Sequence, residues 1–291
     1  MLIHVVFAAQ CSASATTTIQ NSGDATALAS CRTFSGSIAI ATDTTDSIAL
    51  GGIEKITGDL VVKNNSQIPS LSADRLTEIG KAFILDGVQG LNSLSFPSLR
   101  TVDTIRWNAF GPNLQSLGFD RQVTKAATVD IQNTQLQSLD GINVETLETL
   151  YLANNRYIAN ISMQLGNVTK GVTLEANNPE VTVEFPNLIW AFNLTFRNCS
   201  KISLPSLESL NGSLGLYGNV IEDFIAPNLT KVGAALAIVS NTELTNISFP
   251  LLETVNADLQ VANNTKLSKV NNFPELKTIG GAFDFNGNFT E

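Results

Sequence analysis

One short pattern of apolar and polar positions recurs along the chain: apolar-x-apolar-x-small, as in GDLVVKNN (58–65), ETLYLANN (148–155), NLTFRN (193–198), ADLQVANN (257–264) and GAFDFNGN (281–288). A period of two sends successive side chains to opposite faces, so each occurrence predicts a short strand. The first inward residues are Ile38, Leu60, Phe83, Ile105, Val129, Leu150, Val172, Leu194, Leu214, Leu236, Leu259 and Phe283, separated by 20 to 24 residues. Self-similarity at a period of about 22 residues predicts an all-β, parallel β-solenoid in which every coil adds one strand to a long sheet, here a right-handed β-helix of about twelve coils.

A second piece precedes many of the strands: FPSLRTV (96–102), LPSLESL (204–210), APNLTKV (226–232), FPLLETV (249–255) and FPELKTI (273–279). Proline pre-sets φ and cannot donate to a ladder, so it suits the corner where a coil turns toward its next strand, with the following leucine and Ile/Val pointing inward. Short segments such as LQSLDGI (136–142) and LTNISFP (244–250) are expected to complete a three-sided coil.

The third position of each strand's inward column is Asn or a small residue: Asn64, Gly87, Ala109, Asn133, Asn154, Ala176, Asn198, Gly218, Ser240, Asn263 and Gly287. An inward amide at a tight corner can bond the backbone of its own and the neighbouring coil. Asn64, Asn133, Asn154, Asn198 and Asn263 are therefore expected to form a structural asparagine ladder.

Composition narrows the functional classes. The 291 residues carry a formal net charge of -9, so no attraction for nucleic acid phosphates or anionic lipid is expected. The only histidine is His4 and the only cysteines are Cys11, Cys31 and Cys199, so serine–histidine, thiol–histidine and Cys/His zinc sites lack parts. No metal or cofactor is expected. The apolar stretch Leu2–Ala9 is too short to span a bilayer and reads, within residues 1–10, as the remnant of a secretory leader. Residues 11–35 then read as an N-terminal cap over the solenoid of 36–291, with Cys11 and Cys31 joined by a disulfide and Cys199 left as a buried, inert thiol.

The Asn-x-Ser/Thr acceptor pattern occurs ten times, against about five expected from composition. Asn160, Asn167, Asn193, Asn211, Asn228, Asn246 and Asn288 are the candidate glycosylation sites. Asn64, Asn198 and Asn263 are set aside on the expectation that their side chains point inward.

The outward positions of the same strands supply a candidate binding face of Arg106, Asp130, Gln132, Tyr151, Glu175, Arg197 and Tyr217, polar with two aromatics. Asp130 and Glu175, two coils apart, approach the carboxylate spacing of inverting glycosidases, but pairing of Arg106 with Asp130 and of Arg197 with Glu175 is the simpler expectation. On residues alone, three readings stay open: a structural surface protein, a carbohydrate- or ligand-binding module, and a β-helix polysaccharide lyase or hydrolase.

The chain resembles the fungal GPI-anchored cell-wall organisation family, the extracellular-mutant and sporulation-specific proteins with a receptor L-domain-like, leucine-rich-repeat-like fold. The resemblance is carried by NSGDATALASC (21–31), GGIEKITGDL (51–60), NTQLQSLDGI (133–142), FPNL (185–188), APNLT (226–230) and the long stretch 249–290. It implies a non-enzymatic, N-glycosylated, secreted protein of the cell wall and outer plasma membrane, needed for wall organisation and integrity. Its partners would be wall polysaccharide or wall and membrane proteins, with membrane attachment only through a GPI anchor. Cys11 and Cys31 match the family's N-terminal cysteines. Departures are a short leader and a stop at Glu291 before the further coil, C-terminal cysteines, Ser/Thr-rich stalk and hydrophobic tail of the pattern. The last coil is then expected to expose Phe283, Phe285 and Phe289 and to self-associate.

Overall fold

The computed structural model describes residues 11–270 and 272–290, and the expected leader remnant at 1–10 lies outside them. The described chain is a parallel β-solenoid whose main face carries the predicted column in unbroken register. Ile38 pairs with Leu60, Leu60 with Phe83, Phe83 with Ile105, and so on through Leu259 to Phe283. Every member from Ile38 to Leu259 is fully buried. The aligned apolar column makes the core a continuous stack running the length of the rod.

The sheet begins one strand earlier than the periodicity predicted. Thr17–Ile19 pairs in parallel with Ile38–Ile40, so the capping segment supplies a coil of its own. Its short helix, Ser22–Ala27, starts at Asn21, whose Oδ1 accepts the N–H groups of Gly23 and Asp24 at 2.9 and 3.1 Å. Ala25 and Leu28 turn into the core. Cys11 and Cys31 are disulfide-bonded around this helix, a closure worth about 3 kcal/mol for a loop of this size.

The proline corners form as predicted, for a local reason. In each, the leucine two residues after the proline donates its N–H to the carbonyl of the residue before it: Leu99 to Phe96, Leu207 to Leu204, Leu229 to Ala226, Leu252 to Phe249 and Leu276 to Phe273. Proline thus occupies the second position of a β-turn, where its fixed φ is already correct. The third side of the coil is less regular. LTNISFP contains the strand Asn246–Ser248, whereas LQSLDGI forms no strand and keeps a single bridge, Ile142 to Val123, beside a turn at Gly141 with φ +107.

The asparagine ladder is displaced by one residue from its expected place. Asn64, Asn133, Asn154, Asn198 and Asn263 have φ between 51 and 58, the left-handed region, and their side chains are exposed. Gly87, Ala109, Ala176, Gly218 and Ser240 adopt the same conformation, which explains why the column holds only Asn and small residues. A left-handed residue breaks the alternation of the strand, turning itself outward and the next residue inward. The buried ladder is consequently Asn65, Thr134, Asn155, Asn177, Asn219, Asn241 and Asn264. In the C-terminal run each Oδ1 accepts the main-chain N–H of the preceding coil: Asn219 from Cys199, Asn241 from Asn219 and Asn264 from Asn241, at 2.9 to 3.0 Å. Each Nδ2 donates to a strand carbonyl, as Asn264 does to Ile238 at 2.8 Å.

In two coils the ladder position is apolar, with Val88 and Phe110 in register. There the interior widens into an aromatic cluster of Phe83, Phe96, Trp107, Phe110 and Phe119. At the last described coil Phe283 is 60% exposed, while Phe285 and Phe289 are half-buried. Among the described residues no helix is long and apolar enough to cross a membrane.

Candidate functional site

All seven residues of the predicted face are brought together on the outer surface of the main sheet. Register pairing puts Arg106 beside Asp130, Asp130 beside Tyr151, and Arg197 beside Tyr217. Side-chain contacts turn the row into two linked groups. Arg106 Nε lies 3.6 Å from Asp130 Oδ2, and Gln132 Nε2 donates to Asp130 Oδ1 at 2.7 Å. In the second group Tyr151 Oη donates to Glu175 Oε1 at 2.6 Å, Arg197 Nε lies 3.9 Å from Glu175 Oε2, and the Arg197 guanidinium sits 4.4 Å over the Tyr217 ring.

The Tyr151 phenol is pushed up to about 12, first by its hydrogen bond to the Glu175 carboxylate, then by partial burial and by the negative charges of Glu175 and Asp130. The hydroxyl therefore remains a donor, holding one Glu175 oxygen in place. Asp130 and Glu175 are both engaged by cationic and hydrogen-bonding neighbours, so the expected ion pairs form at the positions weighed for catalysis. Beyond Arg197 and Tyr217 the face opens into a shallow depression of about 350 Å³ whose rim includes Asn198 and Ser240.

Of the candidate glycosylation residues, Asn160, Asn167, Asn211, Asn228, Asn246 and Asn288 are exposed. Asn193 is half-buried, its Oδ1 accepting the Ser213 N–H at 2.8 Å. The reason for setting aside Asn64, Asn198 and Asn263 does not hold: left-handed backbone turns all three outward, and it is Asn65, Cys199 and Asn264 that are buried.

The structure also contains a feature that the strand pattern did not reveal. A groove of about 960 Å³ runs along the rod where the short strand of each coil bends into the main face. Register shifts between Val102 and Thr104, Leu147 and Thr149, and Val168 and Gly171 mark β-bulges at this bend. A bulge kinks its strand, and small residues such as Gly80, Ala126 and Gly166 leave the concavity open.

A family model described as "GPI-anchored cell wall organization protein", Ecm33, matches residues 1–29. Similarity continues through the solenoid. A "Cell surface GPI-anchored protein" of Arthroderma benhamiae is 43% identical over 94% of this chain and 70% of its own length. This chain belongs to the Ecm33 family. "Protein ecm33" of Aspergillus fumigatus is 40% identical over 98% of the chain and 72% of its own length, and "Sporulation-specific protein 2" of Saccharomyces cerevisiae is 35% identical over 93% and 54%. No solved structure matches the chain.

Proposed function

We propose that this chain is a non-enzymatic, N-glycosylated cell-surface protein that contributes to the organisation and integrity of the fungal cell wall. The observation that carries this reading is the similarity of 94% of the chain to a relative named as a cell-surface protein and of 69% of it to one named as a cell-wall protein. The non-enzymatic part draws support from the contacts of Asp130 with Arg106 and Gln132 and of Glu175 with Tyr151 and Arg197, which give both carboxylates cationic and hydrogen-bonding neighbours. The Arg106–Tyr217 face then serves as a contact surface for wall polysaccharide or for a wall or membrane protein.

Incubation of the purified chain with insoluble β-glucan, chitin and mannan tests this. Retention, or neither retention nor product, is expected, without new reducing or unsaturated ends. Release of ends above the Asp130→Asn, Glu175→Gln double variant would overturn the non-enzymatic reading. The contact surface requires that Tyr151→Ala with Arg197→Ala disrupt partner binding while the variant still folds. Peptide mapping after enzymatic deglycosylation reports which acceptors are used, with Asn64, Asn198 and Asn263 now among the exposed candidates.

A further inference from the structure

We propose that the bulged groove is a binding site for an extended, neutral polysaccharide lying parallel to the solenoid axis. The inference rests on the wall role proposed above and concerns a surface separate from the Arg106–Tyr217 face.

The groove repeats at the interval of the coils. One row of outward positions along it runs Glu78, Thr101, Lys125, Thr146 and Asn167, and Trp190 pairs in register with Asn167 as the next member. At ~4.8 Å per coil this row spans roughly 24 Å. The rise per coil and the rise per ring of an extended β-linked glycan are of the same order, so successive sugars meet equivalent positions on successive coils.

The chemistry along the row is that of hydroxyl recognition. On the rim, Asn187 Nδ2 donates to Gln164 Oε1 at 2.7 Å, and Asn143 Nδ2 donates to Gln122 Oε1 at 3.1 Å. Each amide pair is held rigid by one N–H and one carbonyl lone pair. The remaining donor and acceptor capacity of both partners stays on the surface, matching the donor–acceptor character of sugar hydroxyls. At the C-terminal end Ile189 lines the groove, the part-exposed Trp190 follows it, and Phe192 is 42% exposed. Trp190 lies beyond the groove's lining residues on the same row, so its indole would meet the face of a pyranose ring on a chain that extends past Ile189.

Charge selects among polysaccharides. Glu78, Asp103 and Glu145 line the groove with Lys125, and Lys55 pairs with Glu78 at 2.7 Å, so carboxylates exceed ammonium groups by one and a uronate or phosphate polymer is disfavoured relative to a neutral chain. A protein partner is disfavoured because the floor lacks the enclosed apolar pockets that anchor interface side chains.

Gly166 supplies the test. A Cβ built there meets nothing nearer than the Glu145 carbonyl at 3.5 Å, and its backbone is not left-handed, so a side chain can start from this position and Gly166→Leu narrows the groove. Binding of soluble β-glucan, chitin and uronate oligosaccharides is measured by calorimetry. In parallel, acrylamide quenching follows Trp190, the part-exposed member of the two tryptophans, since Trp107 is fully buried.

A neutral oligosaccharide is expected to bind and to shield Trp190. Gly166→Leu should weaken binding at least ten-fold with unchanged thermal stability, and Gln164→Ala with Asn187→Ala should weaken it less. Binding equal to wild type in Gly166→Leu, preference for the uronate, or no neutral ligand at all would overturn the groove site. Binding that appears only in Asn167→Gln would overturn it as well, showing that the groove houses the chain's own glycan. None of these outcomes bears on whether the chain releases sugar ends, which decides the non-enzymatic reading separately.

Discussion

Asn264 Oδ1 accepts both the main-chain N–H of Asn241 at 2.9 Å and its side-chain amide at 3.0 Å, while Asn264 Nδ2 returns a bond to the Ile238 carbonyl at 2.8 Å. One buried side chain thus satisfies three polar groups of the preceding coil. Asn264→Ala is expected to cost about 2–4 kcal/mol, because it strands buried donors where water cannot reach. Its neighbour Asn263 is exposed at φ 58, so Asn263→Gly should change stability by less than about 0.5 kcal/mol. Denaturant unfolding of the two variants, produced without glycosylation, checks the ranking. The reverse order would return the ladder to Asn263.

Left-handed backbone without glycine or asparagine leaves recoverable strain at Ala176, with φ 50, and at Ala109, with φ 56. A Cβ in this region costs roughly 1 kcal/mol, and glycine removes that cost while loosening the unfolded chain. Ala176→Gly should therefore raise stability by about 0.5 kcal/mol. Ala176→Val should lower it by more than 1 kcal/mol, since β-branching is least compatible with positive φ. Thermal melts of the pair decide the point.

The main-face register was legible down to the residue because a period of two, repeated at nearly constant spacing, has only one alignment that keeps every inward position apolar. The columns through Ile38 and through Arg106 follow from that alone, and with them the Arg106–Asp130 and Glu175–Arg197 pairs. Alternation failed where one residue leaves the β region. Asn64 and Asn65 are adjacent and chemically identical, so that coil alone does not say which one turns inward; the sign lies in the next column, where Asn177, Asn219 and Asn241 follow Ala176, Gly218 and Ser240. The groove was invisible for a related reason: bulges after Val102, Leu147 and Val168 are departures from the ladder.

Tyr151 gives a pH signature for the face. Its folded-state value, about 12, lies above the ordinary 10 because Glu175 and Asp130 oppose a phenolate there. The sign follows directly: the unfolded tyrosine loses its proton first, so the stabilisation from this hydrogen bond is complete below pH 10 and is lost as pH rises toward 12. Ultraviolet titration of the three tyrosines should show one late phase. Tyr151→Phe should abolish that phase, and Glu175→Gln should move it back toward 10. A late phase that survives Tyr151→Phe would place the shifted phenol elsewhere and dissolve the proposed coupling of the face.

Cys199 occupies the ladder position of its coil, fully buried, and donates its main-chain N–H to Asn219 Oδ1 at 2.9 Å. Burial pushes its thiol up to about 12, so the thiolate needed for attack is scarce at any ordinary pH. Alkylation of the native chain should be undetectable near pH 8 and rapid in denaturant, which makes Cys199 a reporter of unfolding in the middle of the rod. The same site interrupts the amide ladder, because a thiol offers no carbonyl to Asn177 on the preceding coil. Cys199→Asn supplies one and is expected to raise stability by about 1 kcal/mol, joining the run ending at Asn177 to the run beginning at Asn219. Loss of stability instead would show that the interior at this coil is sized for sulfur, and that core volume outweighs ladder continuity there.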